Sequence, residues 1–328
     1  MPMAGEQLKQ MIDGYKLSQA ICVAAELRLA DELGAQGAHF EALAARTGAH
    51  APSLLRLLRA LAAAGIVSDA DAGRFRVTPL GGLLRQGADG SLHAWARFGL
   101  SAYEPWGRLL HSVRTGREAL GKDRWRQLSD STAESRRFNE AMAEASSQVA
   151  PELLRAADFS AFGCIVDIGG GDATLLSALL QACPGAQGVL LELPEALRDA
   201  RLRIERAAVA ERCRLVEGSF FDAVPGGGDA YLLSRVLHDW NDERAAAILC
   251  NIRRVAHSGA AVFIIERLVD LPVPGLETAL SDLNMMVMNG GRERTRAEFE
   301  RLLERSGMRL ARVSVTASPL RILQAHPA

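Results

Sequence analysis

The most constraining feature of this sequence is the alternation of short apolar runs with helical stretches from about residue 163 onward. Five runs rich in Val, Ile and Leu follow one another: CIVDI, GVLLE, CRLVE, DAYLLSR and AAVFIIER. Fully apolar strands that alternate with helices are typical of a parallel sheet covered on both faces. The last two runs, MRLARVSVT and LRILQA, are separated only by Ala317–Pro319, which is too short for a crossover helix. We therefore predict an α/β fold with five parallel strands and a terminal antiparallel hairpin.

The N-terminal part of the chain follows a helical pattern instead. Leu8, Met11, Ile12 and Tyr15 recur at three- and four-residue spacing, as in an amphipathic helix. Between residues 40 and 85, two short helical segments, FEALAARTG and PSLLRLLRALAAAG, precede two short strands, IVSD and RFRVT. Two helices and a hairpin in this order predict a winged helix.

Residues 90–157 are predicted to be helical again, and they hold an aromatic cluster in a chain with only 5% aromatic residues. The cluster could line a ligand pocket or form a core between helices, and the sequence leaves both open. We predict a helical, winged-helix-like domain over 1–90, a helical connector that contributes to a pocket over 91–160, and the α/β domain over 161–328. The aromatic residues of the cluster are Trp95, Phe98, Tyr103, Trp106, Trp125 and Phe138.

A winged helix can place a helix in the DNA major groove, but this chain is poorly suited to it. The second helix is apolar nearly all round, with Arg56 and Arg59 as its main polar residues, and this predicts burial. The chain has 38 Lys and Arg against 39 Asp and Glu, which gives no argument for nucleic acid or an anionic membrane as partner. We expect the winged helix to be structural or to form a dimer interface, with a transcriptional regulator as an alternative.

The cysteines and the N-terminus indicate the compartment. The chain has five cysteines and no CxxC pair, which argues against a disulfide framework or a zinc site and fits a reducing compartment. The N-terminus, MPMAGEQLKQ, has no apolar signal core. No run approaches the roughly 18 apolar residues of a membrane span. We therefore expect a cytoplasmic protein with no bound metal.

A glycine-rich loop, VDIGGGDAT, follows the first strand of the α/β half. Gly169 lies in this loop, and Glu192 ends the next strand 23 residues later, where a carboxylate can accept the hydroxyls of a ribose. The dinucleotide pattern G-x-G-x-x-G needs a third glycine where Thr174 stands, which disfavours a nicotinamide cofactor. S-adenosylmethionine (SAM), which carries no phosphate, suits the loop better, and a tight turn without a ligand is the alternative. Further residues at the carboxyl ends of the next strands are Ser219, Phe220 and Ser234.

One of the seven histidines stands apart from the rest. His238 lies in SRVLHDWND, just past the fourth strand, whereas the others fall in helical, loop or tail segments. Glu266 ends the fifth strand and Glu293 lies in the glycine loop NGGRERT, so both could reach one imidazole. A carboxylate on one ring nitrogen fixes the tautomer and raises the basicity of the ring. The alternative is that Glu293 pairs with Arg292 or Arg294.

The strings VDIGGG, LELPE, GSFF, LLSRVLHDWND and GGRERT occur in this order. With the winged-helix region, they resemble SAM-dependent O-methyltransferases of the caffeic-acid and hydroxyindole type, in the bacterial branch that methylates polyketide-like and phenazine-like metabolites. The resemblance covers nearly the whole chain. It implies a class I, Rossmann-like SAM-binding fold, homodimerisation through the N-terminal domain, and His238 as general base flanked by Glu266 and Glu293. It places the cofactor at Gly169, Glu192, Ser219, Phe220, Ser234 and Ser146, and an aromatic substrate at Phe138, Met142, Asp282, Met285 and Asn289.

The chain departs from the plant members of this family at three positions. Ser219 stands where they have Asp, Ser234 where they have Lys, and Glu192 where they have Asp, and all three choices resemble the bacterial branch. That branch contains SAM-binding members that no longer methylate, such as hydroxylases and decarboxylases. The presence of His238 and both glutamates favours methyl transfer to a phenolic hydroxyl. N-methylation and non-methylating chemistry stay open as alternatives, and the sequence does not identify the acceptor.

Overall fold

A computed structural model describes residues 4–71, 73–121, 132–270 and 274–328 of the chain. The chain forms two compact units: Met1–Glu104 with Arg136–Glu144, and Pro105–Ser135 with Ala145–Ala328. Trp125 of the predicted aromatic cluster lies outside the described residues. The predicted division into three regions, with boundaries near 90 and 160, stays a prediction. Among the helices described, none is both long enough and apolar enough to cross a membrane.

The first unit combines helices with a small three-stranded sheet in the order β1-β3-β2. Strands β2 and β3 pair antiparallel, so the predicted order of two helices and a hairpin is confirmed. The elements of this unit are α1 (Ala4–Glu26), α2 (Leu29–Leu33), β1 (Ala38–His39), α3 (Phe40–Thr47), α4 (Ala51–Ala63), β2 (Val67–Asp71), β3 (Arg74–Val77), α5 (Pro79–Gly82) and most of α6 (His93–Trp106).

Helix α4 is the second helix of the predicted winged helix. Pro52 occupies its first turn, where no backbone donor is needed, and Gly65 follows its end with a φ of +74°. Its buried face includes Leu54 and Leu58, whereas Arg56 is exposed. The expectation of burial nearly all round is therefore wrong, because the polar face of the helix remains on the surface of this unit.

The second unit contains the α/β sheet, in the strand order β6-β5-β4-β7-β8-β10-β9. Strands β4 to β8 run parallel, and β10 pairs antiparallel with both β8 and β9. This confirms five parallel strands and a terminal hairpin. The elements are α7 (Leu109–Thr115), α8 (Thr132–Ser147, whose middle belongs to the first unit), α9 (Val149–Ala156), β4 (Cys164–Ile168), α10 (Thr174–Ala182), β5 (Gln187–Glu192), α11 (Pro194–Arg206), β6 (Cys213–Glu217), β7 (Ala230–Ser234), α12 (Asp242–Val255), β8 (Ala261–Arg267), α13 (Leu276–Asn289), α14 (Arg296–Arg305), β9 (Met308–Val315) and β10 (Leu320–Pro327).

Both faces of this sheet are covered, which is why its strands are apolar throughout. Ile165 packs with side chains of α9, α10 and α11 on one face. The next residue, Val166, points to the other face and packs with α12 and α14. The order of the strands reverses between β4 and β7, and the carboxyl ends of strands at such a point border a ligand crevice.

A substitution at Leu179 tests this core, because the Leu179 side chain on α10 is fully buried in the apolar cluster between α10 and the sheet. We expect Leu179→Ala to lower the free energy of unfolding by about 2–5 kcal/mol through lost contacts and a residual cavity. Leu202→Ala, on the exposed side of α11, is the matched control and should change it by less than about 0.5 kcal/mol. Thermal and urea unfolding followed by circular dichroism measure both, and equal effects would contradict the described core.

Candidate active site

The loop after β4 approaches its surroundings so closely that it requires glycine. Gly169 has a φ of +67° and Gly171 a φ of +61°, a region that favours glycine. A Cβ on Gly170 would lie 2.3 Å from a carboxylate oxygen of Asp167. The N–H of Gly171 donates to Oε2 of Glu192 at 2.9 Å, so the loop after β4 is tied to the end of β5.

The buried carboxylate of Asp167 and the half-buried carboxylate of Glu192 lie at this loop. Burial raises the pKa of Asp167 to about 7, and the nearby charges of Glu192 and Asp172 add to it. Burial also raises the pKa of Glu192, against the effect of its hydrogen bonds from Leu193 and Gly171. Neither oxygen of Asp167 has a hydrogen-bond partner among the described residues. Buried acceptors without a partner fit a ligand that brings hydroxyl or amino groups to this edge.

The ends of β6 and β7 add further predicted residues to the same edge. The Phe220 ring lies beside the loop, 3.3 Å from the position that a Cβ on Gly169 would take. Ser219 follows β6, and its hydroxyl accepts the N–H of Phe221 at 3.1 Å. The hydroxyl of Ser234, at the end of β7, is buried without a hydrogen-bond partner in the described part of the chain. A ring beside a glycine cradle, with orphaned polar atoms, fits the adenosyl group of SAM.

Ser146 and Arg235 form a polar pair in the second unit. Arg235 donates from Nη2 to the Ser146 hydroxyl at 2.6 Å. Arg235 directly follows β7 with a φ of +56°, which is uncommon for a residue other than glycine. Burial lowers the pKa of its guanidinium, although Glu266 and Asp239 oppose this. Sequence reasoning missed Arg235, and the signal that could have found it is a charge placed directly after an apolar strand.

His238 lies on a short 3₁₀ turn, Leu237–Asp239, that follows β7. Its Nδ1 lies 3.1 Å from Oε1 of Glu293 and 3.2 Å from Oε2 of Glu266. Its Nε2 lies 3.8 Å from Oδ1 of Asp239. The structure therefore brings the three predicted catalytic residues together, with both glutamates at the same ring nitrogen.

The charges of this cluster change the pKa values of its members. Burial opposes protonation of His238, but the charges of Glu266, Asp239 and Glu293 outweigh it and raise the pKa of the imidazole to about 10. Burial raises the pKa of Glu266 to about 7, and the nearby His238 opposes this. Burial would also raise the pKa of Glu293, but hydrogen bonds from His238 and Ser281 hold it below its ordinary value. The carboxylates around His238 thus favour the protonated form of its imidazole.

Glu266 contacts the backbone of the 3₁₀ turn as well as the imidazole of His238. Its Oε1 accepts the N–H groups of Val236 at 3.0 Å, Leu237 at 2.9 Å and His238 at 3.3 Å. The carboxylate is fully buried at the end of β8. It therefore fixes both the turn and the ring orientation of His238.

Glu293 is held by its own set of partners in the loop before α14. Its Oε1 accepts the Ser281 hydroxyl at 2.7 Å, and its N–H donates to Oδ1 of Asp282 at 2.9 Å. The alternative that Glu293 pairs with a flanking arginine is wrong, because Arg292 pairs with Glu298 and Arg294 with Asp242.

The three groups at His238 are also of types that metal ions accept. The sequence shows no cluster of metal ligands, yet the structure gathers one ring nitrogen and two carboxylates within 4.8 Å of one another. Nδ1 needs its proton to donate to Glu293, and Oε1 of Glu266 is already occupied by backbone N–H groups. We therefore interpret the group as an acid–base cluster.

The residues expected at the substrate divide between the two units. Asp282, Met285 and Asn289 lie on α13 in the second unit. Met285 is buried, and the Asn289 amide donates to Asp239 Oδ1, next to His238. Phe138 and Met142 lie in the stretch of α8 that belongs to the first unit.

The class of protein follows from this fold and site together. A parallel sheet with a glycine loop after β4, a carboxylate ending β5 and orphaned polar atoms beside them defines a Rossmann-like nucleoside-cofactor fold of the SAM-dependent methyltransferase class. Comparison with family models matches residues 106–309 to an O-methyltransferase domain and residues 9–87 to an O-methyltransferase dimerisation domain. The chain therefore belongs to the O-methyltransferase family and is a SAM-dependent methyltransferase.

Similar proteins act in bacterial antibiotic biosynthesis. A phenazine O-methyltransferase of Lysobacter antibioticus is 40% identical over 98% of this chain and 95% of its own length. An O-demethylpuromycin O-methyltransferase of Streptomyces alboniger is 38% identical over 99% of this chain and 89% of its own length. The crystal structure of an O-methyltransferase from neocarzinostatin biosynthesis, in complex with SAM and 2-hydroxy-5-methyl naphthoic acid, superposes with a TM-score of 0.84 at 32% identity, over 95% of this chain and 96% of that one.

Two other relatives are named for different chemistry. An 8-amino-8-demethylriboflavin N,N-dimethyltransferase of Streptomyces davaonensis is 34% identical over 93% of this chain and 90% of its own length. An aclacinomycin 10-hydroxylase of Streptomyces purpurascens is also 34% identical, over 89% of this chain and 81% of its own length. The two alternatives left open by the sequence, N-methylation and non-methylating chemistry, are thus each represented by the name of a relative.

The raised pKa of His238 predicts a pH dependence of stability. The folded-state value of about 10 exceeds the ordinary value of 6.5, so the contacts of the imidazolium stabilise the fold fully below about pH 6.5. This contribution is lost as the pH rises toward 10. We expect the difference in unfolding free energy between the wild type and His238→Gln to shrink from pH 6.5 to pH 10.

Urea unfolding at several pH values measures this difference, and an NMR titration of the histidine signals, assigned with His238→Gln, measures the pKa directly. His257→Gln, which replaces an exposed histidine, is the control. A His238 signal that titrates near 6.5 would contradict the described charge cluster.

Proposed function

We propose that this enzyme transfers the methyl group of SAM to a phenolic hydroxyl of an aromatic secondary metabolite, with His238 as general base. The carrying observation is that Nδ1 of His238 is hydrogen-bonded to Glu293 and lies 3.2 Å from Glu266, so that Nε2 is the nitrogen that can accept a proton. The names of the phenazine and naphthoate relatives support an aromatic hydroxyl compound as the acceptor.

The glycine edge of the sheet is proposed to hold the cofactor. SAM supplies, when bound, an electrophilic methyl group on a sulfonium. Glu192 would accept the ribose hydroxyls, and Phe220 beside Gly169 would contact the adenine ring. The other proposed cofactor residues are Ser219, Ser234 and Ser146.

His238 supplies the proton chemistry in this proposal. A phenol has a pKa of about 10 and is a poor nucleophile at neutral pH. The neutral imidazole of His238, with a conjugate-acid pKa of about 10, is basic enough to take that proton at Nε2. Glu266 and Glu293 keep the Nδ1 proton in place and stabilise the imidazolium that forms. A base positioned in this way typically contributes about 10²- to 10⁴-fold in rate.

The proposed substrate residues are Phe138 and Met142 on α8, and Asp282, Met285 and Asn289 on α13. Phe138 and Met142 offer an aromatic ring and a thioether, and both suit the face of a planar aromatic compound. Asn289 binds Asp239 beside His238, so it lies where an acceptor hydroxyl would be oriented. Met285 and Asp282 complete the proposed set on α13.

The two alternatives differ in what they require of His238. Transfer to a ring nitrogen needs no general base for a hydroxyl, and hydroxylation transfers no methyl group. Because His238 has two glutamate partners at one nitrogen, the site favours removal of a proton from a hydroxyl.

We propose that the protein is a homodimer built through its N-terminal domain. Leu8, Met11, Ile12 and Tyr15 share one side of α1, and each is more than half exposed in the single chain. An apolar stripe of this kind is typical of a surface that another chain covers. A small aromatic molecule is the remaining partner, and the near-neutral charge supports neither nucleic acid nor a membrane. The cytoplasm is the proposed location.

The proposed function predicts the behaviour of His238→Ala. Hydroxylated phenazines and naphthoates are incubated with labelled SAM, and the wild type should methylate a phenolic hydroxyl. His238→Ala should lower kcat by about 10²- to 10⁴-fold. It should keep the thermal shift produced by S-adenosylhomocysteine, because Gly169, Glu192 and Phe220 follow β4, β5 and β6 and not the turn that carries His238. The wild-type kcat/KM should rise with pH from 7 toward 10, as the neutral imidazole becomes more populated.

The control variant is His257→Ala, which should keep the wild-type rate. A metal chelator should also leave the rate unchanged, because the three groups at His238 are proposed to act as acid and base. Full activity of His238→Ala would exclude the general-base role. A labelled product at nitrogen, or consumption of an aromatic compound without label, would favour one of the two alternatives.

The dimer proposal predicts that charge on the α1 stripe separates the subunits. The double variant Met11→Glu, Ile12→Lys buries two charges in the proposed interface and should elute at the monomer mass of 35.2 kDa. Light scattering after size exclusion measures the mass of this variant and of the wild type, which should have twice that value. Leu202→Lys, at an exposed leucine of α11, is the control. A monomeric wild type, or a variant that remains dimeric, would contradict the proposal.

A further inference from the structure

Arg294 is buried beside the turn that carries His238, and sequence reasoning considered it only as a partner of Glu293. Its side chain is among the largest that are fully buried, with the residue only 1% exposed. Nη1 donates to the Leu237 carbonyl at 2.9 Å, and Nη2 donates to the Trp240 carbonyl at 2.8 Å. Nε donates to Oδ1 of Asp242 at 2.9 Å. The guanidinium thus holds the chain on both sides of His238.

The backbone around Arg294 is fixed on the same turn and on the sheet. The N–H of Arg292 donates to the His238 carbonyl at 2.8 Å. A Cβ on Gly291 would lie 2.0 Å from that carbonyl oxygen, so the loop contacts the turn directly. The carbonyl of Arg294 accepts the N–H of Val269, just past β8, at 3.1 Å. The backbone of Arg294 is therefore anchored just past the strand that carries the buried Glu266.

Two opposite charges bind the backbone of this turn, Glu266 at its N–H groups and Arg294 at its carbonyls. Glu266 accepts N–H groups from its first residues, and Arg294 donates to carbonyls that bracket His238. The N–H groups at the start of a single 3₁₀ turn have no helical partner, and the carboxylate satisfies them. The guanidinium satisfies the Trp240 carbonyl and is a second donor to the Leu237 carbonyl, which also accepts the Trp240 N–H at 3.2 Å.

The net contribution of Arg294 to stability is expected to be modest. Desolvating a guanidinium costs free energy, and its ionic partner Asp242 is partly exposed. What the side chain adds is geometry, because a planar fork of donors fixes two carbonyls at once.

We propose that Arg294 is a positioning residue for His238, whose guanidinium sets the place of the imidazole relative to Glu266 and Glu293. This inference rests on the proposed function of His238 and extends it to a residue that does not touch the reacting atoms. Without the guanidinium, the turn would shift on its carbonyl side, while Glu266 would still hold its N–H side.

Such a shift has two measurable consequences. A displacement of the order of 1 Å at a catalytic group can lower the rate by about 10²-fold. Longer distances from Nδ1 to Glu266 and Glu293, and a changed distance to Asp239, weaken the interactions that raise the pKa of His238. The pKa should then move from about 10 toward its ordinary value, and a role in stability alone would not move it.

The experiment compares Arg294→Gln, Arg294→Lys and the matched control Arg292→Gln. Arg292 lies in the same loop, but its exposed side chain binds Glu298 and not the turn. For each variant, four quantities are measured: kcat and KM, the pH profile of kcat/KM, the His238 pKa by NMR, and the thermal shift with S-adenosylhomocysteine.

We expect Arg294→Gln to lower kcat by about 10- to 100-fold, with a lower His238 pKa and an unchanged thermal shift. Arg294→Lys should recover only part of the loss, because one ammonium cannot span both carbonyls in the same plane. Arg292→Gln should behave as the wild type. If Arg294→Gln does not fold, Arg294→Lys, which keeps the charge and most of the volume, decides the question with the same readouts.

An unchanged His238 pKa and an unchanged kcat in the folded variants would overturn the inference. A loss of kcat with the His238 pKa unchanged would also overturn it, because the effect would not act through the imidazole. Failure of the proposed function is distinguished by His238→Ala. If that variant is fully active while Arg294→Gln still lowers the His238 pKa, then the base role fails and the positioning contact stands.

Discussion

The candidate site depends on one buried carboxylate at the end of β8. Glu266 is fully buried, with one oxygen on three backbone N–H groups and the other beside Nδ1 of His238. A buried charge without partners is costly, so the strand end, the turn and the imidazole stabilise one another. The parallel pairing of β7 with β8 makes this possible, because it places Ser234 opposite Ile265 and thus brings the two strand ends side by side. The sheet that forms the core therefore also fixes the acid–base geometry.

At the proposed cofactor edge, which the loop after β4 and the ends of β5, β6 and β7 form, several buried polar atoms have no hydrogen-bond partner among the described residues. Asp167 lies directly beneath Gly170 with both oxygens unpartnered, and the Ser234 hydroxyl is buried in the same condition. Burial raises the pKa of Asp167 to about 7, so this carboxyl is costly to ionise in the protein alone. Such groups reduce stability until a polar ligand satisfies them, and this is the usual condition of a binding site. Among the described residues, Oε2 of Glu266 and Oε2 of Glu293 also lack a hydrogen-bond partner, so both parts of the candidate site offer buried polar atoms to a ligand.

Much of this arrangement is predictable from local sequence patterns. Strand apolarity identifies the parallel sheet, and the residue that ends each strand identifies Glu192, His238 and Glu266, because parallel strands share one edge. Contacts between distant segments are not encoded locally. Nothing in NGGRERT distinguishes Arg294, bound to two carbonyls, from Arg292, whose exposed side chain binds the half-buried Glu298. The exposed side of α4 is unpredictable for a similar reason, because the burial of a helix face depends on distant segments of the chain that pack against it.

The proposed cofactor residues and the proposed proton-transfer residues lie largely on different strands of this sheet, with Ser234 at the end of β7 close to both sets. The glycine loop, Glu192 and Phe220 follow β4, β5 and β6, whereas the acid–base cluster follows β7 and β8 and includes the loop before α14. The acid–base residues can therefore change while the cofactor residues stay. This accounts for relatives of one fold whose names include an N,N-dimethyltransferase and a hydroxylase. The glycine loop therefore identifies the cofactor class and says little about the reaction. The bonds that fix His238 carry the argument for removal of a proton from a hydroxyl, because no other proposed reaction of this site requires a base held so firmly.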